Sequence, residues 1–200
     1  MDLVIACDTS NRHGAMCFEA CEKTHKERIE GIGQVIQCFI PSPELEAQAV
    51  LSALSMSELS DDFILTPSNA FIVDDWDVSI LRQRQRFAKR RGSPVDMMVE
   101  TIRYLVSGGF PCFDYQLEVP MIVNKRMARE VLAIGVSHKC HFRTLYCNLY
   151  FNGGQRMDDP NIDLWLHSYD PKGPVVSVGP TALRAPRCRR WVNNLINGPV

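Results

Sequence analysis

The apolar residues of this chain recur with two different periods, and this feature constrains the fold most. Between residues 95 and 106 they return every three or four positions, as on one face of an α-helix: Val95, Met98, Val99, Ile102 and Val106. The preceding Ser93-Pro94-Val95-Asp96 has the residues of a helix-capping box. Between residues 113 and 119 they alternate with polar residues, as in a half-buried strand: Phe113, Tyr115, Leu117 and Val119. A chain that carries both patterns belongs to a mixed class.

We therefore predict an α+β fold with a mixed, mainly antiparallel sheet and about five to six helices in one compact domain over residues 1–200. Apolar segments predict strands at 3–7, 34–40 and 70–73, and a long strand over 136–151 that pairs with 162–169. Ser42-Pro43 predicts the start of a helix, since serine caps and proline suits the first turn.

The localisation predicted from the sequence is intracellular, in the cytoplasm and/or the nucleus. There is no run of 18 apolar residues to span a membrane, and the first residues lack the basic segment of a secretory signal. The eight cysteines lie mostly inside apolar segments, which favours reduced, buried thiols over disulfides.

Charge is divided unequally along the chain. Residues 1–80 hold four Lys/Arg against fourteen Asp/Glu, a net charge of −10, and residues 81–200 hold eighteen against nine, a net charge of +9. The step falls between Asp74-Asp75-Trp76-Asp77 and a predicted helix that ends at Arg91. Such asymmetry predicts a surface with an anion-binding region, and it also permits self-association through opposite charges.

The basic residues fall into clusters. The main anion-binding candidates lie on the predicted helix and near the C-terminus: Arg82, Arg86, Lys89, Arg90, Arg91, Arg187, Arg189 and Arg190. Flexible cationic side chains on a helix suit phosphate contacts that do not read bases. The leading hypothesis is a non-enzymatic binding protein whose partner is nucleic acid (RNA more than DNA), an acidic protein or an anionic membrane surface.

Metal ligation is a weaker hypothesis, because no paired Cys-x-x-Cys motif occurs. Cys17, Cys21 and His25 share a face if a helix covers them. A second group of soft ligands consists of His138, Cys140, His141 and Cys147. Buried cysteines and ordinary histidines explain both groups better, so we predict neither a metal nor a cofactor.

An enzyme hypothesis depends on Asp8, Thr9 and Ser10 at the end of the first strand. This Asp-Thr-Ser loop resembles that of the retroviral-type aspartic proteases, which implies an Asp8 that shares a proton across a dimer. The same strand, hairpin and helix resemble the opening of the actin-like ATPase and threonylcarbamoyl-transfer families. That resemblance implies an Asp8 that faces metal and phosphate, hence a hydrolase or phosphoryl-transfer enzyme. Common enzyme motifs, including the P-loop and the dinucleotide fingerprint, do not occur, so the sequence leans away from an enzyme.

A third resemblance concerns residues 136–148. Val136-Ser137-His138-Lys139-Cys140-His141, followed by Leu145-Tyr146-Cys147-Asn148, is similar to a strand region of rhabdovirus matrix proteins. This resemblance implies a viral structural or accessory protein. The remaining alternative is a structural protein that self-assembles into a homo-oligomer through its opposite charges.

Overall fold

The computed structural model describes residues 1–9, 11–41, 46–76, 95–115, 117–138, 140–151, 161–162 and 173–198. Within them the chain forms an α+β domain with six α-helices, as predicted. The strands are β1 (Asp2–Asp8), β2 (Val35–Ile40), β3 (Asp62–Pro67), β4 (Ala70–Ile72), β5 (Met121–Asn124), β6 (Asn161–Ile162) and β7 (Val175–Val178). The helices are α1 (Gly14–Arg28), α2 (Glu46–Leu54), α3 (Val95–Ser107), α4 (Lys125–His138), α5 (Phe142–Tyr150) and α6 (Pro186–Asn197), and a 3₁₀ turn covers Ala182–Arg184. None of these described helices has the length and apolar character to cross a bilayer.

The larger sheet has the strand order β2-β1-β3-β5. Strand β1 pairs in parallel with β2 and with β3, whereas β5 runs antiparallel to β3. A smaller sheet has the order β4-β7-β6, with β4 antiparallel and β6 parallel to β7. The predicted mixed sheet is confirmed, and two of the three pairings of the larger sheet are parallel.

The two faces of β1 are covered by different helices, because alternate side chains of a strand point to opposite sides. Val4 and Ala6 belong to a core formed with α2, α3, α4 and α5. Leu3, Ile5 and Cys7 belong to a second core formed with α1, α6 and the smaller sheet. Leu3, Val4 and Ile5 are fully buried, as the unbroken apolar segment of a central strand predicts.

Two predicted strands are absent from the described structure. Residues 136–151 form the end of α4 and all of α5 instead of one long strand. The apolar positions Phe142, Leu145, Tyr146 and Leu149 also have the i, i+3, i+4, i+7 spacing of a helix. Packing selects that alternative, since Leu145 and Tyr146 are fully buried in the first core. Residues 113–115 and 117–119 form no regular strand, although Tyr115, Leu117 and Val119 are buried.

Candidate functional site

The carboxyl end of β1 is a topological switch point. The chain passes from β1 to β2 through α1, which lies on one face of the sheet. It then passes from β2 to β3 through α2, which lies on the opposite face, and β3 pairs with the other edge of β1. The connections on the two sides of β1 therefore lie on opposite faces. In open α/β sheets this arrangement leaves a crevice outside the carboxyl ends of the strands, where ligands bind.

The loop after β1 is held in a defined shape. The Thr9 amide donates to the carbonyl of Ile40 (2.9 Å), and the Thr9 hydroxyl donates to the same oxygen (3.2 Å). The Asn11 amide donates to the Asp8 carbonyl (3.2 Å), and the Asn11 side-chain oxygen accepts from the amide of His13 (3.0 Å). These bonds place residues 11–13 at the N-terminus of α1, where the helix dipole favours negative charge.

An open cleft of about 400 Å³ lies at this loop, within the size range of ligand sites. Its walls come from the loop after β1 and from the segment that follows β7: Asn11, Arg12, His13, Pro180 and Arg184. Arg12 and Arg184 are exposed, and none of the described lining residues is acidic. The electrostatic character of the cleft is therefore positive.

His13 sits among cations. Burial, followed by the charges of Arg12 and Arg189, lowers the pKa of His13. The Arg12 Nε donates to His13 Nε2 (3.1 Å), which requires that this ring nitrogen carry no proton. His13 is thus neutral and can gain a proton when an anion offsets the neighbouring charges.

The carboxylate of Glu118 is clamped by two neutral hydrogen-bond donors. The Asn69 Nδ2 donates to Glu118 Oε2 (2.9 Å), and the hydroxyl of Ser177 donates to the same oxygen. Asn69 also exchanges hydrogen bonds with the main chain of Val178, two residues before Pro180 of the cleft wall. Ser177 is fully buried and Glu118 is half-buried, so this carboxylate lies at the surface of a fixed polar cluster.

Arg143 anchors the segment that carries Glu118. The Arg143 Nη1 donates to the carbonyl of Val119 (2.5 Å), and its Nε and Nη2 donate to the carboxylate of Glu46 (2.5–3.3 Å). Burial opposes the charge of Arg143, but the Glu46 carboxylate, with a smaller contribution from Glu118, raises the pKa of Arg143. Arg143 therefore stays charged and ties this segment to α2.

The residues of the sequence-based enzyme hypothesis lie at the switch point. Asp8 is half-buried at the end of β1, and Thr9 is exposed beside it. The Thr9 hydroxyl is occupied by the bond to β2. Ser10 lies outside the described residues. A chemical role for Asp8 and Thr9 stays a prediction.

The structure places only part of the predicted anion-binding set. Arg82, Arg86, Lys89, Arg90 and Arg91 lie outside the described residues. Arg187, Arg189 and Arg190 lie on α6, and the guanidinium of Arg189 donates to the carbonyls of Leu183 (3.0 Å) and Arg184 (2.7 Å). The prediction treated every arginine as a surface contact, whereas the guanidinium of Arg189 forms hydrogen bonds with main-chain carbonyls of the same chain.

The first group of predicted metal ligands lies together on α1. Cys17, Cys21 and His25 are all fully buried, and Cys21 Sγ lies 3.7 Å from His25 Nδ1. Burial lowers the pKa of His25 to about 4 and raises the pKa of Cys17 to about 12. Within the described part of the chain, no three His, Cys, Asp or Glu side chains have a geometry that would hold a metal ion. This face of α1 packs into the second core.

The second group is divided between two helices and their junction. His138 ends α4, Cys140 and His141 lie in the junction, and Cys147 lies on α5. Cys140, His141 and Cys147 are buried. None of the eight cysteines forms a disulfide, and seven are buried, as predicted for apolar thiols.

Sequence reasoning missed the residues that form the cleft and the clamp. Arg12 and His13 could have been found, since they follow a buried strand directly and such strand ends carry ligand sites. Asn69, Glu118 and Ser177 are separated by 49 and 59 positions, and no local pattern joins them.

Neither a protein-family model nor a curated protein matches this sequence. Solved structures are similar to it, and they include the following two. An active-site mutant of LgtC matches with a TM-score of 0.48 at 11% identity, over 100% of this chain and 97% of that chain. The apo-form glycosyltransferase GlyE of Streptococcus pneumoniae TIGR4 matches with a TM-score of 0.40 at 11% identity, over 80% of this chain and 46% of that chain.

Both are structures of enzymes. The predicted function, a non-enzymatic protein that binds nucleic acid or another anionic partner, is therefore wrong. The prediction of an RNA-binding protein or a viral structural, matrix-like protein is also wrong. TM-scores below 0.5 transfer neither a substrate nor a residue role to this chain.

Proposed function

We propose that this protein is a group-transfer enzyme that binds a nucleoside-diphosphate-linked sugar in the cleft at the end of β1. The observation that carries the proposal is the coincidence of the switch point with a cationic cleft lined by Arg12, His13 and Arg184. A switch point supplies the place for a ligand, and a lining whose described residues include two arginines and no acidic residue favours an anionic one.

The size and charge of the cleft suit a diphosphate group. A volume of about 400 Å³ accommodates a nucleotide-sized ligand. Two exposed guanidinium groups, together with the N-terminus of α1, can offset the charge of two phosphates. Because the chain has no glycine-rich phosphate loop, side chains would have to provide this recognition.

Glycosyl transfer is the reaction named for GlyE, and we propose it for this chain as the class to test first. The eight cysteines, none of which forms a disulfide, support a reducing, intracellular compartment as the place of action.

The proposal is tested by calorimetric binding of UDP, GDP, ADP and CDP and of their hexose conjugates to the purified protein. We expect one nucleotide series to bind. Arg12→Ala and Arg184→Ala should each weaken binding about tenfold or more, since a hydrogen bond to a charged group contributes about 1.5–3 kcal/mol.

Arg103→Ala is the matched control. Arg103 is an exposed arginine (68%) on α3, paired with Glu100, and its loss should leave the affinity unchanged. Absence of binding for every nucleotide, or an equal loss in the Arg103 variant, would overturn the proposal.

A further inference from the structure

His13 lies in the wall of the cleft, among cationic side chains of three elements. The Arg12 Nε donates to its Nε2 (3.1 Å), and Arg184 of the 3₁₀ turn lines the same cleft. On α6, the guanidinium of Arg189 is held by main-chain carbonyls, and its charge also acts on His13. Among the described lining residues, His13 alone can change its charge near neutral pH, since arginine stays protonated there.

The neutral and the protonated ring of His13 offer different groups to a ligand. When the ring is neutral, its Nε2 accepts the hydrogen bond from Arg12 and so occupies that guanidinium nitrogen. When the ring is protonated, Nε2 carries a proton and can no longer accept, so this hydrogen bond is lost. One protonation therefore adds a positive charge to the cleft wall and frees the Arg12 Nε to donate to an anion.

The two nucleotide ligands of the proposed reaction differ in charge. In a sugar-linked nucleoside diphosphate the sugar esterifies the terminal phosphate, which therefore carries a single negative charge. In the free nucleoside diphosphate the terminal phosphate has a second ionisation, with a pKa of about 6. Above that pH, the free diphosphate carries an additional negative charge that its sugar conjugate lacks.

We propose that His13 is a specificity-determining residue which, once protonated, favours the free nucleoside diphosphate over its sugar conjugate. The proposal rests on the proposed function, because it concerns the two nucleotide ligands of that reaction. The cationic surroundings favour the neutral ring before a ligand binds, and the additional charge of the free diphosphate opposes them.

The direction of the pH dependence follows from the surroundings of His13. Burial, followed by the charges of Arg12 and Arg189, lowers the pKa of His13 below its ordinary value of 6.5. A bound anion raises this pKa, so binding takes up a proton. Since binding and protonation affect each other equally, the preference for the free diphosphate should grow as the pH falls from about 8 to about 6.5.

The test is calorimetric titration of the purified protein at about pH 7.5 in buffers of different ionisation enthalpy. The titrants are the nucleotide of the UDP, GDP, ADP and CDP series that binds, and its hexose conjugate. The dependence of the observed enthalpy on the buffer gives the number of protons taken up. We expect uptake of about half a proton or more with the free diphosphate, and of less than about 0.2 with the conjugate.

Two variants of His13 separate its charge from its shape. His13→Gln can accept from Arg12 but cannot gain a charge, so proton uptake should vanish. Its affinity for the free diphosphate near pH 7 should fall about tenfold, and that for the conjugate should stay within about twofold. His13→Lys carries a fixed charge and should bind the free diphosphate without proton uptake. Arg103→Ala, on the exposed face of α3, is the matched control and should retain the wild-type uptake.

The two proposals fail in different ways. If both ligands bind with the same proton uptake, or with none, or if the uptake persists in His13→Gln, His13 does not distinguish them and the proposed function stands. If the wild-type protein binds none of these nucleotides, the proposed function falls and this inference falls with it.

Discussion

The ion pair between Glu46 and Arg143 provides the sharpest test of how the fold supports its site. The side chain of Arg143 is buried (8% exposed) and that of Glu46 is partly buried (17% exposed), and the Arg143 Nη2 lies 2.5 Å from Glu46 Oε1. Replacement of Glu46 by alanine leaves the guanidinium of Arg143 with the Val119 carbonyl and without its carboxylate partner. The change therefore creates an uncompensated charge in the first core.

The structure sets the size of the expected effect. Breaking one side of a buried pair costs about 3–5 kcal/mol, whereas an exposed pair contributes about 0–1 kcal/mol. For a chain of 200 residues, with an unfolding entropy of about 2.1 cal/mol/K per residue, this loss lowers Tm by about 7–12 °C. Replacing both partners, as in Glu46→Leu with Arg143→Met, should restore most of the stability because no charge is left buried.

The assay is urea unfolding followed by circular dichroism for the wild type, both single variants and the double variant. A double variant more stable than either single variant is the expected outcome. The reasoning is refuted if Glu46→Ala costs less than about 1 kcal/mol, or if the costs of the two single changes simply add in the double variant.

Two further predictions concern pH. Burial alone would raise the pKa of Asp2, but hydrogen bonds from Ser60 (2.7 Å) and Gln34 lower it below the ordinary 3.8. Because the folded pKa is the lower one, Asp2 stabilises the fold above about pH 3.8 and loses that contribution as the pH falls further. Asp2→Asn should cost about 2 kcal/mol at neutral pH, and it should remove this part of the acid dependence in urea titrations. His13 should take up a proton when an anion binds, so the affinity for sulfate, measured by calorimetry, should rise from about pH 8 to about pH 5.5. His13→Gln should flatten this dependence, and a wild-type affinity independent of pH would contradict the assignment.

Local sequence signals predicted those elements whose period and caps agree with their packing. The strand at 3–7 is β1, and the helix expected after Ser93-Pro94 is α3, since both carry an unambiguous apolar pattern. The segment 136–151 was wrongly predicted because its aromatic residues favour strands while their spacing also suits a helix. Contacts in the first core decide between the two.

The candidate site was less predictable than the fold for a geometric reason. Asp8 and Arg12 lie four positions apart along the chain, so a strand followed by a polar loop could direct attention to them. Glu118 lies in a segment whose sequence resembles an ordinary half-buried strand. The polar residues of such a strand are predicted only to be exposed to solvent. Its carboxylate is held by Asn69 and Ser177, which the fold brings to it from distant positions.

The amino-acid sequence by itself determined the α+β class, the buried cysteines and the unequal distribution of charge, because composition and short-range periodicity are properties of neighbouring residues. Only the tertiary structure decided which charges are engaged and which face a cleft. Arg143 lies inside a core beside Glu46, Arg189 is bonded to main-chain carbonyls, and Arg12 lines the cleft. These three arginines are equivalent in a count of charge, and the long-range contacts that distinguish them form only when the chain folds.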